Sequence, residues 1–179
     1  VDNDANGAAR HVAEEAEKWL PCELVYVIEE RPGIPFARNT SVLNAGPVDF
    51  VAFIDDDEEP ETQWISELLK TQEEYSADVV AGTVVPEFEE RAPLWAKKGR
   101  FFERNTYATG TVIRGAATNN VLVKKEVFDT VGLFEPRFAL TGGSDTEFFM
   151  RVRNSGFRMV WSNEAIVREW IPVSRANVR

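Results

Sequence analysis

The chain has 179 residues, of which 44% are hydrophobic and 28% are charged, and its formal net charge is −10 at pH 7. This size and composition are typical of one globular domain, and the acidic charge argues against nonspecific binding to nucleic acid or to anionic lipid. A single cysteine, Cys22, excludes an internal disulfide and a zinc–cysteine cluster, and no apolar run reaches the ~18 residues that a membrane-spanning helix needs.

The predicted elements alternate between helices and strands along the chain. Apolar residues at helical spacing predict a helix within residues 5–20, and the β-favouring run LVYVI predicts a strand at 24–28 that is covered on both faces. The next elements are a helix over 35–45, a strand over 49–54, a helix with Pro60 in its first turn and a strand over 79–85 closed by Pro86. Beyond an aromatic and basic segment at 87–110, the patterns predict a strand over 119–123, a helix over 125–131 and a helix over 146–154.

This alternation predicts an α/β fold with a mainly parallel sheet and helices on both faces. In such sheets, ligands bind beyond the carboxyl ends of the strands. The stretch FVAFIDDDEEP, residues 50–60, is conspicuous there because a buried strand runs directly into five consecutive carboxylates. Mg²⁺ and Mn²⁺ prefer carboxylate oxygens, and two aspartates at positions i and i+2 after a strand can face one ion. The alternative is a solvated acidic loop whose glutamates favour the start of the next helix.

Five sequence motifs, taken in their order along the chain, favour the metal-site interpretation of this stretch over the solvated loop. They are VDNDANG, FARNTSVLNAG, FVAFIDDDEEP, TNNVLVKKEVFDTVGLFEP and GGSDTEFFMRVRNSGFRM. In order and spacing they closely resemble the family 2 glycosyltransferases, which have the GT-A fold, and the resemblance covers nearly the whole chain. The tail EWIPVSR is similar, more weakly, to that of bacterial exopolysaccharide transferases of the succinoglycan type. The resemblance implies one GT-A-like, Rossmann-like domain over 1–179, with a nucleotide-binding part at about 1–86 and an acceptor-side part at about 87–179.

The resemblance also implies roles for individual residues. Asp55 and Asp57 correspond to the residues that bind Mn²⁺ or Mg²⁺ together with the donor diphosphate, and Asp56 corresponds to a residue beside the ribose. Asp2, Asn3 and Arg38 correspond to residues that contact the nucleotide. Asp145 corresponds to the general base, and the acceptor or sugar side of the pocket is implied for a further set: Asn119, Asn120, Gly142, Gly143 and Glu147.

Three departures from the family pattern affect these expectations. Ser144 stands where glutamate is common, and Ser144 with Glu147 reads as a capping box at a helix start. A histidine that is often present near the C-terminal tail is absent, and Glu169 lies in that region. The first strand of the family would precede Val1, so we expect this chain to lack part of the sugar-nucleotide site and to bind the donor weakly.

The implied activity is inverting transfer of a sugar from a nucleotide-sugar, with UDP as the expected nucleotide, to a hydroxyl of a polysaccharide or lipid-linked precursor. Two alternatives remain open: a nucleotidyltransferase, and a noncatalytic module that binds a sugar-nucleotide or a metal. The expected location is the cytoplasm, with peripheral contact at the inner face of the bacterial plasma membrane as one option, and neither nucleic acid nor a transmembrane segment is expected.

Overall fold

A five-stranded sheet with the order β1-β4-β3-β5-β2 forms the centre of the computed structural model, which describes residues 1–176. The strands are β1 (Phe50–Ile54), β2 (Glu58–Pro60), β3 (Val79–Phe88), β4 (Asn120–Lys124) and β5 (Met159–Ile171). The α-helices are α1 (Arg10–Glu17), α2 (Ile34–Asn44), α3 (Trp64–Tyr75), α4 (Leu94–Lys98), α5 (Lys125–Val131), α6 (Ser144–Asn154) and α7 (Val173–Ala176), and a 3₁₀ helix spans Pro136–Phe138. None of the helices in this part of the chain is long and apolar enough to cross a membrane.

The sheet is mixed, which corrects the prediction of mainly parallel pairing. Only β3 and β5 pair in parallel, whereas β4 is antiparallel to both β1 and β3, and β2 is antiparallel to β5. The prediction assumed a helical crossover before each strand, but the long segment between β3 and β4 re-enters the sheet at the edge where β1 and β3 end, so β4 runs antiparallel to both. Strands β1, β3 and β5 nevertheless point in the same direction, so their carboxyl ends share one edge of the sheet.

Side chains on both faces of β3 and β4 are buried, because helices cover each face of the sheet. Alternate residues, such as Val79 and Val121, belong to one core cluster with Phe148 of α6. Their neighbours, such as Val80, belong to a second cluster with Leu68 of α3. The period of two in the strands therefore divides the apolar residues between two helical layers.

Several predicted elements need correction at their ends. Residues 24–28 are not a ladder strand: Ile28 makes a single parallel bridge with Asp2, because the segment around Asp2 offers too short a partner. Pro60 ends β2 instead of opening a helix, and β3 continues through Pro86. The predicted helix at 5–20 is shorter, and the predicted helix at 125–131 agrees with α5, which ends at Gly132.

A β-bulge brings the backbone of three strands around one polar side chain. The pairing of β3 with β5 shifts register between Gly82 and Thr83. The side-chain amide of Asn120 donates to the carbonyl oxygens of Thr83 (2.9 Å) and Ala165 (2.8 Å), and its oxygen accepts from the indole nitrogen of Trp64 at 2.8 Å. Asn120 thus joins β3, β4, β5 and α3 from inside the core.

Gly82→Ala should destabilise the fold. A methyl group at Gly82 would lie 2.3 Å from the carbonyl oxygen of Ala165 and 2.5 Å from the Asn120 amide nitrogen. Overpacking of this kind typically costs about 1–3 kcal/mol in the free energy of unfolding, which urea denaturation would measure. Gly115→Ala is the matched control, because nothing lies within 4 Å of its added carbon. Equal unfolding free energies for the two variants would contradict the tight approach at Gly82.

Candidate functional site

One arginine connects two acidic residues that are 90 positions apart in the sequence. Arg38 on α2 forms a close ion pair with Asp145 in the first turn of α6. Its Nη2 atom also lies 3.8 Å from Oδ1 of Asp55, which directly follows β1. The side chain of Arg38 is mostly buried, so its charge is shielded from bulk water and is compensated by these carboxylates.

The arginine lies in a cleft of about 620 Å³ beyond the carboxyl end of β1. Among the residues that line this cleft are Val1, Asp2, Asn3, Arg38, Asp55, Asp56, Asp57 and Thr118. Asp145 contacts two of them, Arg38 and Thr118. The structure therefore brings Asp2, Asp55 and Asp145 to one region of the sheet edge, as expected for ligand sites in α/β folds.

Both carboxylate oxygens of Asp145 are held by donors. Oδ2 accepts from the backbone nitrogen and from the hydroxyl of Thr118, each at 2.9 Å. Oδ1 accepts from Arg38 and from the Ser144 hydroxyl, the latter at 3.2 Å. The bonds from Thr118 fix the rotation of the carboxylate. Oδ1 pairs with Arg38, which also lies beside Asp55 in the cleft.

The three aspartates after β1 differ in their surroundings. Burial raises the pKa of Asp55; Arg38 opposes this shift, and the negative charges of Asp57, Asp145 and Asp56 add to it. Asp57 accepts from Arg175 of α7 at 3.1 Å, whereas Asp56 is exposed. The acidic cluster is thus balanced by one arginine at each end.

A metal ion fits this arrangement only with help from a ligand. Within residues 1–176, no group of three or more acidic, histidine or cysteine side chains is arranged to hold an ion. Asp55 and Asp57 do offer two hard oxygen ligands at positions i and i+2, and both are half-exposed to the cleft. Mg²⁺ and Mn²⁺ typically take one or two protein carboxylates and complete their shell with phosphate oxygens and water. The two residues therefore suit an ion that arrives with a phosphate-bearing ligand.

Glu58 was not singled out by the sequence analysis as a site residue. Its Oε2 accepts from the backbone nitrogen of Asp55 at 3.2 Å, and its Oε1 accepts from Asn119 at 2.7 Å. Burial raises the pKa of Glu58 to about 7, and these two hydrogen bonds oppose the rise. Asn119, predicted on the acceptor side, is buried and positions Glu58 behind the acidic turn.

Asp2 and Asn3 organise the turn that borders the cleft. Asp2 accepts from the backbone nitrogens of Asp4 and Ala9, each at 2.9 Å, and from the Tyr26 hydroxyl at 2.6 Å. The Tyr26 hydroxyl, followed by these backbone bonds, lowers the pKa of Asp2. The side chain of Asn3 clamps the loop opposite through three bonds, to the carbonyl oxygens of Glu29 and Arg31 and from the backbone nitrogen of Gly33.

Two residues predicted for the acceptor side lie elsewhere. Asn120 is inside the core with its amide fully bonded, so it is not positioned to touch a sugar. Glu147 forms an ion pair with Arg151 at 2.7 Å, and Arg151 also donates to the carbonyl oxygens of Val131 and Leu133. Glu147 therefore fastens α6 to the end of α5.

The predicted capping box at α6 is wrong. Ser144 is the first helical residue, the N-cap position is Gly143, and no side chain caps the helix. Gly142 and Gly143 have φ angles of 72° and 93°, a region that glycine adopts without the steric penalty of a side chain. The pair turns the chain sharply so that Asp145 enters the first turn facing Arg38.

Three further residues of the site lie in motifs that the sequence analysis quoted, but it gave them no role. Thr118 holds Asp145, and Arg175 holds Asp57. Glu169 is buried and accepts from Arg175 at 3.0 Å and from Arg104 at 2.9 Å. The sequence analysis noted Glu169 only as lying where a histidine is common, since its partners come from distant segments.

Residues 1–132 match the sequence profile of Glycosyl transferase family 2. The chain belongs to this family. It is 33% identical over 179 residues to the succinoglycan biosynthesis protein ExoM of Rhizobium meliloti (strain 1021). This match covers 99% of this chain and 58% of ExoM.

Two other relatives of this family 2 glycosyltransferase come from Haloferax volcanii. Glycosyltransferase AglE is 23% identical to this chain, and the match covers 93% of this chain and 54% of AglE. A glucosyl-dolichyl phosphate glucuronosyltransferase is 28% identical, and the match covers 78% of this chain and 48% of that protein. The chain thus spans about half the length of the curated relatives it matches.

The fold is that of GT-A glycosyltransferases. A crystal structure of GalNAc-T7 with UDP, GalNAc and Mn²⁺ superimposes with a TM-score of 0.70 at 14% identity. The match covers 96% of this chain and 37% of that one. At this low identity, the match establishes the architecture, and it agrees with the GT-A-like α/β fold predicted from the motif order.

The ion pair between Glu29 and Arg31 supports the loop that Asn3 holds, and its contribution to stability should depend on pH. Arg31, then Thr40, and then the Arg31 backbone nitrogen lower the pKa of Glu29 from 4.5 to about 2. A lowered pKa means that the ionised form stabilises the fold fully above about pH 4.5 and that this contribution is lost as the pH falls towards 2. We expect Glu29→Gln to be less stable than the wild type at pH 7 and the difference to shrink below pH 4.5.

Urea unfolding at neutral pH and at two acidic pH values would measure this effect. Glu14→Gln is the control, because Glu14 is exposed on α1 and has no bonded partner within residues 1–176. A difference between Glu29→Gln and wild type that is the same at every pH would contradict the assigned ion pair.

Proposed function

We propose that the protein transfers a sugar from a nucleotide-sugar donor to a hydroxyl group of a saccharide acceptor. The observation that carries the proposal is the single cleft in which Arg38 joins Asp55 and Asp145. A glycosyl transfer needs both a group that handles the leaving diphosphate and a group that takes a proton from the acceptor. The cleft offers one candidate for each within reach of the same arginine.

Asp55 and Asp57 are the proposed binding residues for the donor diphosphate and its ion. Both line the cleft beside Asp56, which we assign to the ribose side, and Asp2 and Asn3 border the nucleotide end. Mn²⁺ is the ion in the GalNAc-T7 crystal structure, and Mn²⁺ or Mg²⁺ suits these oxygens equally well. When bound, the ion would neutralise charge on the leaving nucleoside diphosphate.

Asp145 is the proposed general base. Thr118 holds its Oδ2, so Oδ1 is the oxygen available to receive the acceptor proton once Arg38 turns towards the donor phosphates. With the proton removed, the acceptor oxygen attacks the anomeric carbon from the face opposite the leaving diphosphate, which inverts the configuration. The bond to the diphosphate breaks in the same step, so no sugar is attached to the enzyme.

The relatives support a polymer or lipid-linked acceptor. ExoM is named for succinoglycan biosynthesis, and one relative from Haloferax volcanii is named for acting on glucosyl-dolichyl phosphate. We therefore propose a growing polysaccharide or lipid-linked oligosaccharide as the acceptor, a UDP-sugar as the donor, and action at the cytoplasmic face of a membrane. Family membership disfavours a nucleotidyltransferase, and product formation would distinguish an enzyme from a noncatalytic binding module.

Removing one carboxylate of the acidic cluster should weaken metal binding. In the full-length protein with UDP present, we expect Asp57→Asn to lower Mn²⁺ affinity by more than about tenfold. Loss of a residue that only supports a metal ligand already lowers affinity by about tenfold or more, and loss of a ligand should cost at least as much. Calorimetry would measure the affinity, and Glu59→Gln, an exposed carboxylate on β2, is the control. Equal affinities for Asp57→Asn and wild type would remove Asp57 from the metal site.

Asp145→Asn should separate binding from chemistry. Because a general base acts only in the transfer step, we expect turnover in the full-length protein to fall by ~10²–10⁴-fold while UDP-sugar affinity changes little. Glu147→Gln and Asp129→Asn should keep turnover, since these carboxylates pair with Arg151 and Lys125 outside the cleft. Transfer at the wild-type rate by Asp145→Asn would show that Asp145 only positions Arg38 and Thr118.

A further inference from the structure

The segment over residues 91–104 has two apolar faces, and the sheet buries only one of them. On the inner face, Ala96 is fully buried in a small core cluster, and Phe102 packs edge-on against Phe88 at 5.5 Å between ring centroids. On the outer face, Leu94 and Phe101 are 70% and 72% exposed. Core packing explains the inner face and leaves the outer one unexplained.

The two exposed aromatic side chains contact each other, and Leu94 directly precedes Trp95 on α4. Trp95, which is 43% exposed, contacts Phe101 edge-on with ring centroids 5.8 Å apart. Arg100 has a φ angle of 58°, in the left-handed region that residues other than glycine seldom adopt. This turn folds the chain back so that Phe101 lies over Gly99 and against Trp95. A strained backbone thus holds two aromatic rings in water, which folding alone does not require.

The segment that carries these rings is rich in basic residues. Residues 91–104 contain five arginines and lysines and one glutamate, although the whole chain carries a net charge of −10. Within residues 1–176, Arg91 and Lys98 take part in no ion pair, and Lys97 donates only to the carbonyl oxygen of Glu90. Arg100 is paired with Glu103, and Lys97 and Arg100 line a cleft of about 460 Å³ between this segment and β3. On α4, Lys98 follows Leu94 by four positions and Trp95 by three, so it lies on their side of the helix.

We propose that this aromatic–basic patch, formed by Leu94, Trp95, Lys97, Lys98, Arg100 and Phe101, docks the protein onto an anionic phospholipid membrane. Exposed aromatic and leucine side chains insert at the boundary between headgroups and acyl chains, and lysine and arginine are attracted to anionic headgroups. The overall acidic charge argues only against diffuse binding, because one local cluster of basic residues can reverse the potential at its own surface.

The patch is connected to the proposed active site. Arg104, at the end of the segment, donates to buried Glu169, which also accepts from Arg175, and Arg175 in turn donates to Asp57. If the proposed function is correct, membrane docking would bring the cleft to a lipid-linked acceptor. The docking itself does not depend on that function.

Vesicle sedimentation of the purified 179-residue chain, without nucleotide or sugar, tests the proposal. We expect binding to vesicles that contain phosphatidylglycerol, weaker binding to pure phosphatidylcholine, and a loss of binding between about 0.1 M and about 1 M salt. Lys97→Gln/Lys98→Gln should lower affinity for anionic vesicles by about 25-fold, at roughly fivefold per basic side chain. Leu94→Ser/Phe101→Ser should lower affinity for both kinds of vesicle.

The controls are matched in chemistry and lie outside the patch. Trp19→Ser/Leu140→Ser removes two side chains that are 72% and 90% exposed, and Lys18→Gln/Lys70→Gln removes two exposed lysines. Both should bind vesicles as the wild type does, as should Asp145→Asn, which separates docking from sugar transfer. Circular dichroism and urea midpoints would verify that each variant is folded.

Two results would overturn the proposal. The first is a wild-type chain that does not bind anionic vesicles, or patch variants that bind as well as the controls. The second is a change in oligomeric state, measured by sedimentation velocity, that appears in the patch variants without any change in vesicle binding. That second result would assign the exposed rings to a contact between two copies of the chain.

Discussion

The structure around the cleft depends on neutralising a run of five carboxylates at the end of β1. At this edge of the sheet, partial burial raises the pKa of Asp55, Arg38 opposes the rise, and the acidic neighbours add to it. Arg38 compensates Asp55 and Arg175 compensates Asp57, and Arg175 comes from a helix 118 positions further along the sequence. Removing the charge of either arginine would leave neighbouring carboxylates to repel each other without a compensating cation.

The same arginines occupy positions that a donor complex would need. Arg38 and Arg175 contact the carboxylates that we assign to the base and to the metal site. A cation and a diphosphate that enter together bring both signs of charge, so they can replace these ion pairs without leaving any group unpaired. Under the proposed function, this exchange would let an ion and its phosphate ligand bind together.

Adjacent residues in the motif TNN serve different parts of the structure, because Thr118 and Asn119 form a turn directly before β4 and Asn120 is the first residue of that strand. Thr118 holds Asp145, Asn119 holds Glu58, and Asn120 points into the core to join three strands to Trp64. A short motif can therefore connect the site to the sheet without every member touching a ligand. Buried polar side chains of this kind are stable only when all of their hydrogen-bonding groups are satisfied, as those of Asn120 are.

The sequence by itself determined the family, the order of most elements and the acidic residues after β1, because local periodicity and short motifs carry that information. It did not determine strand pairing, so it missed the mixed sheet and the fact that residues 24–28 form only a single bridge. It also missed the partners of Asp145 and Asp57, and it assigned Ser144 a cap that it does not form. Only the tertiary structure decided these contacts, because Thr118, Arg38 and Arg175 reach their carboxylates across 27, 107 and 118 positions of sequence.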